Sequence, residues 1–345
     1  MPITHLPQPF TRAECLASGV TSGQLGRAVD RGDLTRIVPG LYALPSRWDD
    51  LEPWDRHLAV AEAASRTTPD AIVSHTSAAA LLGLPMPPRP PARATMTLLD
   101  DGRTSRSDSW RRFHRGCTPS DHVLIDRGRP YLVPTRTVLD CIRDMAPGDA
   151  LAVLDAALRT RVTSGRQLVE MRRHQRRWPG VAGADAILRL GDGRRESWLE
   201  SSSAWLMASW EVPPGIPQVV VCDARGRFIG RVDILWPELG VVGEADGQAK
   251  YLMGARDAGL SDEELSSRRM HAQDVREERL RGLGLEVFRW GVAQLTDPVE
   301  LRSRFFAALA RADPGAVTGR FSCSCCARQL AGCGSPTRIA GLPAA

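Results

Sequence analysis

The chain has 345 residues, of which 43% are hydrophobic, and this is enough for two or three packed domains. Its formal net charge of +5 is compatible with a polyanionic partner. No apolar run approaches the roughly 20 residues needed to cross a bilayer, and the first residues lack the pattern of a signal peptide. We therefore expect a cytoplasmic protein that has no membrane partner.

Residues 1–50 have the pattern of a small winged helix-turn-helix. A first short helix is closed by Gly19 and a second by Gly32, and an alternating segment with its turn at Pro39-Gly40 follows. The second helix of such a motif enters the major groove of double-stranded DNA. The predicted DNA contacts are Ser22, Gln24, Arg27, Arg31 and the wing residue Arg36. Since acids balance the arginines of this segment, two helices that merely pack together are the alternative.

Residues 51–190 are predicted to be a mixed region of helices and strands. Two alanine-rich helices are followed by three alternating segments between residues 94 and 134, and then by further helices. The second alternating segment interleaves arginines with aromatic residues, which suits phosphate contact and base stacking. Its members are Arg103, Arg106, Trp110, Arg111, Arg112, Phe113, His114 and Arg115, and Arg111 and Arg112 are the predicted DNA contacts. A solvated basic hairpin is the alternative.

After a glycine-rich break at residues 180–193, residues 191–312 predict the order helix, three strands, helix, strand. Glu196 and Glu200 lie one helical turn apart on the first helix, so either could present a carboxylate to the strands. On the second helix, which is predicted to span residues 261–282, Arg276 is placed to face substrate phosphates.

The centre of this region is a predicted hairpin with strands at residues 231–236 and 241–246. If its turn is centred between residues 238 and 239, Asp233 lies opposite Glu244, with β-carbons roughly 5 Å apart. Asp246 shares the face of Glu244 because side chains alternate along a strand. Like charges this close require a compensating cation. Three carboxylates at one place suit Mg²⁺ or Mn²⁺, so Asp233, Glu244 and Asp246 are the predicted metal ligands.

Lys250 is the single lysine of the chain, since every other basic residue is an arginine. A compact ammonium beside a carboxylate cluster can neutralise charge that develops on a phosphate. A lysine retained by chance beside solvated acids is the alternative.

These segments carry a resemblance. The motifs EADGQAKY and VREERLRGLGLEVFRW resemble the carboxy-terminal domain of actinobacterial proteins that begin with an AbiEi-type antitoxin winged helix, and SHTSAAALLGL resembles the AbiEi region. The order of elements is similar to the PD-(D/E)xK restriction-endonuclease-like superfamily, in its very-short-patch-repair-like branch. The resemblance implies an α+β protein with a winged helix-turn-helix, a mixed middle region and an αβββαβ nuclease-like domain. In the parent motif the lysine follows the Glu by two residues, where this chain has Asp246.

The resemblance implies two functions of different classes. One is hydrolysis of phosphodiesters with Mg²⁺, in which Asp233 and Glu244 hold the metal, Lys250 stabilises charge and Glu200 assists. Asp246 is then either a ligand or the replacement for the lysine. The other is a non-enzymatic DNA-binding transcriptional regulator, the antitoxin of a type IV toxin-antitoxin system with a cognate toxin partner. A protein-interaction module is a third possibility.

Eight cysteines in a cytoplasmic chain favour free thiols. Four are scattered among apolar neighbours and are expected to be buried: Cys15, Cys117, Cys141 and Cys222. The others, Cys323, Cys325, Cys326 and Cys333, fall in residues 313–345, which are expected to be disordered. Zinc is the alternative for these four, although the spacing lacks the paired C-x₂-C of structural zinc sites.

Overall fold

The computed structural model describes residues 3–99, 107–126, 129–175, 178–246, 262–330 and residue 339. The chain divides into two compact units, the first made of residues 1–146 and 162–184 and the second of residues 147–161 and 185–345. The described residues contain helices and three sheets, which confirms the predicted α+β class. No helix in these ranges is long and apolar enough to cross a membrane.

The first unit begins with a helix-turn-helix and a small sheet. Each helix starts in a capping box, Thr11 with Glu14 and Thr21 with Gln24, which satisfies the backbone N–H groups of the first turn. The strands are ordered β1-β3-β2. The elements are β1 (Phe10–Thr11), α1 (Arg12–Ala17), α2 (Ser22–Asp30), β2 (Thr35–Val38) and β3 (Leu41–Ala43).

Apolar residues of β1, α1, α2 and β3 form one core. Phe10, Cys15, Leu25 and Ala28 are buried together, and Tyr42 of β3 closes the cluster. Burial of one stripe of α2 leaves its other side to solvent, and this exposed side contains Gln24 and Arg27.

A five-stranded sheet follows in the first unit. Its order is β6-β5-β4-β8-β7, with β5 parallel to β6 and β4 parallel to β8, so it is mixed. The further elements are α3 (Pro45–Trp48), α4 (Pro53–Thr67), β4 (Ala71–Val73), α5 (His75–Leu81), β5 (Ala94–Leu98), β6 (Arg111–His114), β7 (Val123–Asp126), β8 (Arg129–Leu132) and α6 (Pro134–Asp144).

Three helices come next along the chain, α7 (Pro147–Arg159), α8 (Gly165–His174) and α9 (Val181–Leu190). The expected break at residues 180–193 is wrong over α9, where the apolar spacing of VAGADAILRL outweighs its glycine. The division between the two units falls between residues 184 and 185, within the predicted break, but the second unit also contains the earlier α7. Its buried Asp155 accepts hydrogen bonds there from Ser201 Oγ at 2.7 Å and from the Arg195 guanidinium at 2.9 Å.

The second unit is built on a five-stranded sheet of order β12-β11-β10-β9-β13. Strands β9, β10 and β11 are antiparallel neighbours, whereas β11 and β12 are parallel. The elements are α10 (Trp198–Met207), β9 (Ile216–Cys222), β10 (Phe228–Trp236), β11 (Val241–Asp246), α11 (Asp262–Arg281), β12 (Glu286–Gly291), α12 (Val292–Leu295), α13 (Pro298–Leu309) and β13 (Arg320–Cys323). The predicted order of helix, three strands, helix and strand is present from α10 to β12.

Both faces of this sheet are covered by apolar side chains. On one side Trp236, Phe288 and Trp290 pack with Phe305 of α13, and on the other Val219, Val232 and Val242 pack with Leu280 of α11. A sheet buried on both faces requires strands that are nearly continuous in apolar residues, as VVV in β9 and VV in β11 are. A charged residue in these strands therefore enters a largely apolar layer.

The expected disorder of residues 313–345 is wrong for the first part of this segment. Residues Pro314–Ala316 form a 3₁₀ turn, and β13 pairs antiparallel with β9, placing Phe321 opposite Val221. The reason is that β9 would otherwise be an open edge, which a fifth strand covers. Residues 331–338, with Cys333, and residues 340–345 lie outside the described ranges.

The hairpin of β10 and β11 leaves no room for a methyl group at Gly243. A β-carbon there would stand 2.3 Å from Ile234 Cγ2 and 2.9 Å from the Trp290 ring. We expect Gly243→Ala to lower the free energy of unfolding by about 1–3 kcal/mol, the usual effect of overpacking. Urea unfolding measures this. The control is Gly26→Ala in α2, where nothing lies within 4 Å of the new carbon and the helix should gain about 1 kcal/mol. Equal stability of Gly243→Ala and wild type would contradict the packing described.

Candidate functional site

The β10–β11 hairpin fixes the position of two carboxylates. Its ladder pairs Trp236 with Val241 and Ile234 with Gly243, and the same register continued by one residue sets Asp233 opposite Glu244. The connecting 3₁₀ turn ends at Gly240, whose φ of 65° is the left-handed conformation that glycine tolerates. Asp233 Oδ2 accepts a hydrogen bond of 2.8 Å from the Ala245 backbone N–H. The Asp233 carboxylate is thereby directed toward β11.

Glu200 approaches the same place from α10. It occupies the first turn of the helix, where its Oε1 accepts a hydrogen bond from Ser197 Oγ at 2.8 Å and its Oε2 accepts one from the Glu196 N–H at 3.0 Å. Glu196 instead pairs with Arg231 at 2.7 Å. Of the two glutamates that the sequence left open, Glu200 is the one near Asp233.

A buried glutamine connects Glu200 with Asp233. Gln218 of β9 donates from Nε2 to Glu200 Oε2 at 2.8 Å and lies 3.3 Å from Asp233 Oδ1. Its φ of 53° is left-handed, a conformation that is costly for a residue with a side chain and is concentrated at functional positions. Sequence analysis missed Gln218. Its signal was an amide at the start of an otherwise apolar strand, PQVVV.

Burial controls the charges of this group. Glu244 is only 5% exposed, and burial raises its pKa to about 7, although Arg276 opposes that rise. Burial also raises the pKa of Glu200, and the neighbouring charge of Asp233 adds to the effect. Three carboxyl groups, those of Glu200, Asp233 and Glu244, therefore form a row in which each negative charge disfavours the next. We call them the carboxylate row.

Two arginines compensate the charge on β11. Arg276 of α11 donates to Glu244 Oε2 at 2.8 Å, and Arg289 of β12 donates to Asp246 at 2.6 and 3.0 Å. The parallel pairing of β11 with β12 sets Arg289 beside Glu244. The sequence had Arg276 facing substrate phosphates and assigned no role to Arg289, since strand neighbours distant in sequence leave no local signal.

Asp233, Glu244 and Asp246 stay predicted metal ligands, although their carboxylate oxygens do not all lie within 4.8 Å of one another in this structure. Within the described ranges, the group of three ligating side chains whose donor atoms all lie within 4.8 Å of one another is Cys323, Cys325 and Cys326. Asp246 is held by Arg289 instead. One donor atom fits a cation, because Glu244 Oε1 is buried without a hydrogen-bond partner among the described residues. Lys250 lies outside those residues.

The helix-turn-helix presents the predicted DNA contacts at its surface. Ser22, Gln24, Arg27, Arg31 and Arg36 are all exposed. Three of them already have intramolecular partners: Ser22 Oγ accepts from Arg12 at 2.7 Å, Gln24 caps Thr21, and Arg31 pairs with Asp33 at 2.6 Å. No ion pair among the described residues involves Arg27 or Arg36. These two guanidiniums, with the exposed Arg12 that sequence analysis missed, are the cations best placed for a phosphate backbone.

The basic segment of the middle region is engaged within the protein. Arg111 donates to Asp108 at 2.7 Å and to Thr68 at 2.8 Å, and Arg112 makes two bonds to Asp144 at 2.8 and 2.9 Å. Trp110 is buried in the core, so its expected role as an exposed stacking surface is wrong. Arg103 and Arg106 fall outside the described residues. Sequence composition alone could not distinguish these internal pairs from a solvated basic face.

The raised pKa of Glu244 predicts a pH dependence. The ordinary value is 4.5, so between that pH and about 7 the folded chain holds a proton that the unfolded chain releases, and stability falls as pH rises through this window. A glutamine cannot ionise. We therefore compare the free energy of unfolding of Glu244→Gln with that of wild type at each pH. The difference should shift in favour of the variant by on the order of 2 kcal/mol as the pH is raised from 5 to 8.

Urea unfolding at each pH measures this difference. Ser209→Ala is the control, because this exposed side chain carries no ionisable group and the substitution leaves every titrating residue in place. A flat profile for Glu244→Gln as well would show that Glu244 ionises at its ordinary pH.

Residues 7–45, which contain the helix-turn-helix and wing, match a family model described as "Transcriptional regulator, AbiEi antitoxin". The chain is also similar to two proteins of Mycobacterium tuberculosis strains, "Uncharacterized protein MT2308" and "Uncharacterized protein Rv2248". Each is 30% identical over 118 residues, which are 34% of this chain and 43% of the relative. The chain thus spans less than half the length of the curated relatives it matches. The comparisons connect its amino-terminal segment with antitoxin-type transcriptional regulators.

Proposed function

We propose that this protein is a DNA-binding transcriptional regulator of the AbiEi antitoxin type, which binds double-stranded DNA through the helix-turn-helix and wing of its first unit. The proposal rests on one observation, which is that two features occur in the same segment. Residues 7–45 match the antitoxin family, and the same segment exposes Arg27 on α2 and Arg36 on the wing. A cognate toxin encoded with it is the partner that this function implies.

The physical basis is the division of α2 into two sides. Leu25 and Ala28 anchor the helix in the core, which fixes the direction of Gln24 and Arg27 toward solvent. A helix held in this way can enter the major groove, while Arg36 of the wing contacts a flanking phosphate. Arg31 is bound to Asp33, so its contact with DNA would compete with an existing pair.

The first test is the double variant Arg27→Ala/Arg36→Ala. Binding sites are selected from random duplexes with the full-length protein, and affinity is measured by fluorescence anisotropy at several salt concentrations. We expect weaker binding, and a salt slope that is smaller by roughly 1 for each phosphate that the variant no longer binds.

Arg225→Ala removes the same type of charge from an exposed turn in the second unit and is the matched control. The proposal is wrong if the double variant binds the selected duplex with the affinity and salt slope of this control.

We also propose a second function for the carboxylate row, metal-dependent phosphodiester hydrolysis. Glu244 Oε1 is buried and without a hydrogen-bond partner among the described residues, and β11, which carries Glu244, pairs with β10, which carries Asp233. The order of elements from α10 to β12 is that of the restriction-endonuclease-like superfamily that the sequence resembles. Asp233 and Glu244 are the residues that would hold Mg²⁺ or Mn²⁺.

When bound, such a cation would polarise a phosphoryl oxygen and lower the pKa of a bound water molecule. The protein's own residues would do the positioning. Gln218 holds Glu200 and Asp233 together, and Arg276 neutralises the second oxygen of Glu244. Arg289, fixed on Asp246, supplies a cation near the position where the parent motif has its lysine.

Calorimetric titration of Mg²⁺ and Mn²⁺ into wild type and Asp233→Asn tests this second function. We expect saturable binding that the variant weakens by at least about tenfold, because a carboxylate ligand becomes a neutral amide. Nicking of supercoiled plasmid should decrease with it, and Glu300→Gln should leave both unchanged. If wild type binds neither metal, or if Asp233→Asn nicks as well as wild type, the carboxylate row is a structural feature of a regulator.

A further inference from the structure

The turn that follows β13 brings three cysteines together. A β-bridge pairs Ser322 with Gln329, and Cys323 exchanges backbone hydrogen bonds with Arg328 and Ala327 at 2.9 Å. Ala327 turns the chain with a φ of 55°. Within this loop the Sγ atoms of Cys323, Cys325 and Cys326 all lie within 4.8 Å of one another, and those of Cys323 and Cys325 are 2.8 Å apart.

Two hydrogen-bond donors approach the sulfur of Cys323. The Cys325 N–H lies 3.4 Å from Cys323 Sγ, and the Arg194 guanidinium donates to the same sulfur at 3.8 Å. Hydrogen-bond donors and a nearby positive charge stabilise a thiolate, which is the form that binds metals. Cys323 is buried, whereas Cys325 and Cys326 are exposed, so an ion can reach the group from solvent.

We propose that Cys323, Cys325 and Cys326 bind a thiophilic divalent cation of the zinc class. Thiolates select such ions over Mg²⁺ or Mn²⁺, which prefer oxygen ligands. A Zn–S bond is about 2.3 Å long, so two sulfurs of a tetrahedral site stand about 3.8 Å apart. The limit of 4.8 Å on the three sulfurs admits this arrangement, and Cys323 and Cys325, now 2.8 Å apart, would separate by about 1 Å to reach it. The fourth ligand is water or another donor. The sequence lacks the paired C-x₂-C spacing of structural zinc sites. The turn nevertheless brings the three sulfurs of the C-x-C-C segment close together.

The site would act on the carboxylate row through β9. Cys323 is paired with Val219, and the Ser324 N–H donates to the Gln218 carbonyl at 3.4 Å. An ion that closes the turn therefore holds the backbone of Gln218, the residue that links Glu200 with Asp233. This inference does not rest on DNA binding or on hydrolysis, because it concerns the thiols alone.

Cobalt substitution of the full-length protein tests the proposal. The protein is reduced with a phosphine, stripped of metal and titrated with Co²⁺ and then Zn²⁺, and the thiolate-to-cobalt charge-transfer absorption is recorded. We expect one Co²⁺ per chain, displaced by Zn²⁺, for wild type. Cys325→Ser/Cys326→Ser should bind at least about 100-fold more weakly, since even outer-shell partners of a metal are worth about 10- to 100-fold. Cys117, which the sequence predicted to be buried, is exposed on the first unit, and Cys117→Ser should bind like wild type.

Alkylation of the wild-type protein provides a measurement that does not depend on a variant's folding. Zn²⁺ should slow iodoacetamide modification of Cys325 and Cys326 while Cys117 reacts at an unchanged rate, as read by peptide mass spectrometry. The proposal is overturned if the reduced protein gives no thiolate-to-cobalt band, if the double variant keeps the affinity of Cys117→Ser, or if Zn²⁺ protects none of the cluster thiols.

Discussion

The second unit depends on one electrostatic constraint, which is that negative side chains stand in a sheet covered on both faces. Valines and aromatic rings surround β10 and β11, and yet these strands carry Asp233, Glu244 and Asp246. Removing carboxylates from water is unfavourable unless hydrogen bonds and positive charges replace the water. The rest of the local structure supplies both. Asp233 accepts hydrogen bonds from Gln218 and from the Ala245 N–H. Arg276 forms an ion pair with Glu244, and Arg289 forms one with Asp246.

This compensation is uneven along the two strands. Asp246 receives two hydrogen bonds from one guanidinium, while Glu244 receives one and keeps its other oxygen buried and without a partner among the described residues. A buried carboxylate with an oxygen that lacks a hydrogen-bond partner tends to take up either a proton or a cation. The pKa of Glu244, raised by burial to about 7, reflects the tendency to take up a proton. The same imbalance is the reason why the proposed cation site includes Glu244.

Much of the fold was accessible from the sequence because its signals are local. Glycines closed both helices of the helix-turn-helix, and alternating residues around Pro237 and Gly240 gave the hairpin and the position of Asp233 opposite Glu244. The contacts that the sequence did not predict join residues that are distant along the chain. Arg289 reaches Asp246 only because β12 lies beside β11, and Phe321 returns to β9 from about one hundred residues away. Arg111, predicted from the sequence to contact nucleic acid, donates a hydrogen bond to Thr68, which lies 43 residues away.

The placement of α7 has a consequence for how this protein can be divided. Residues 147–161 belong to the second unit, yet residues 162–184, which follow them, belong to the first. The two units are thus interleaved along the chain, and a cut at any single peptide bond leaves at least one of them incomplete. A fragment starting at residue 191 would lack Asp155, the buried partner of Arg195 and Ser201. Each unit is therefore discontinuous in sequence, and neither can be removed or exchanged as one contiguous segment.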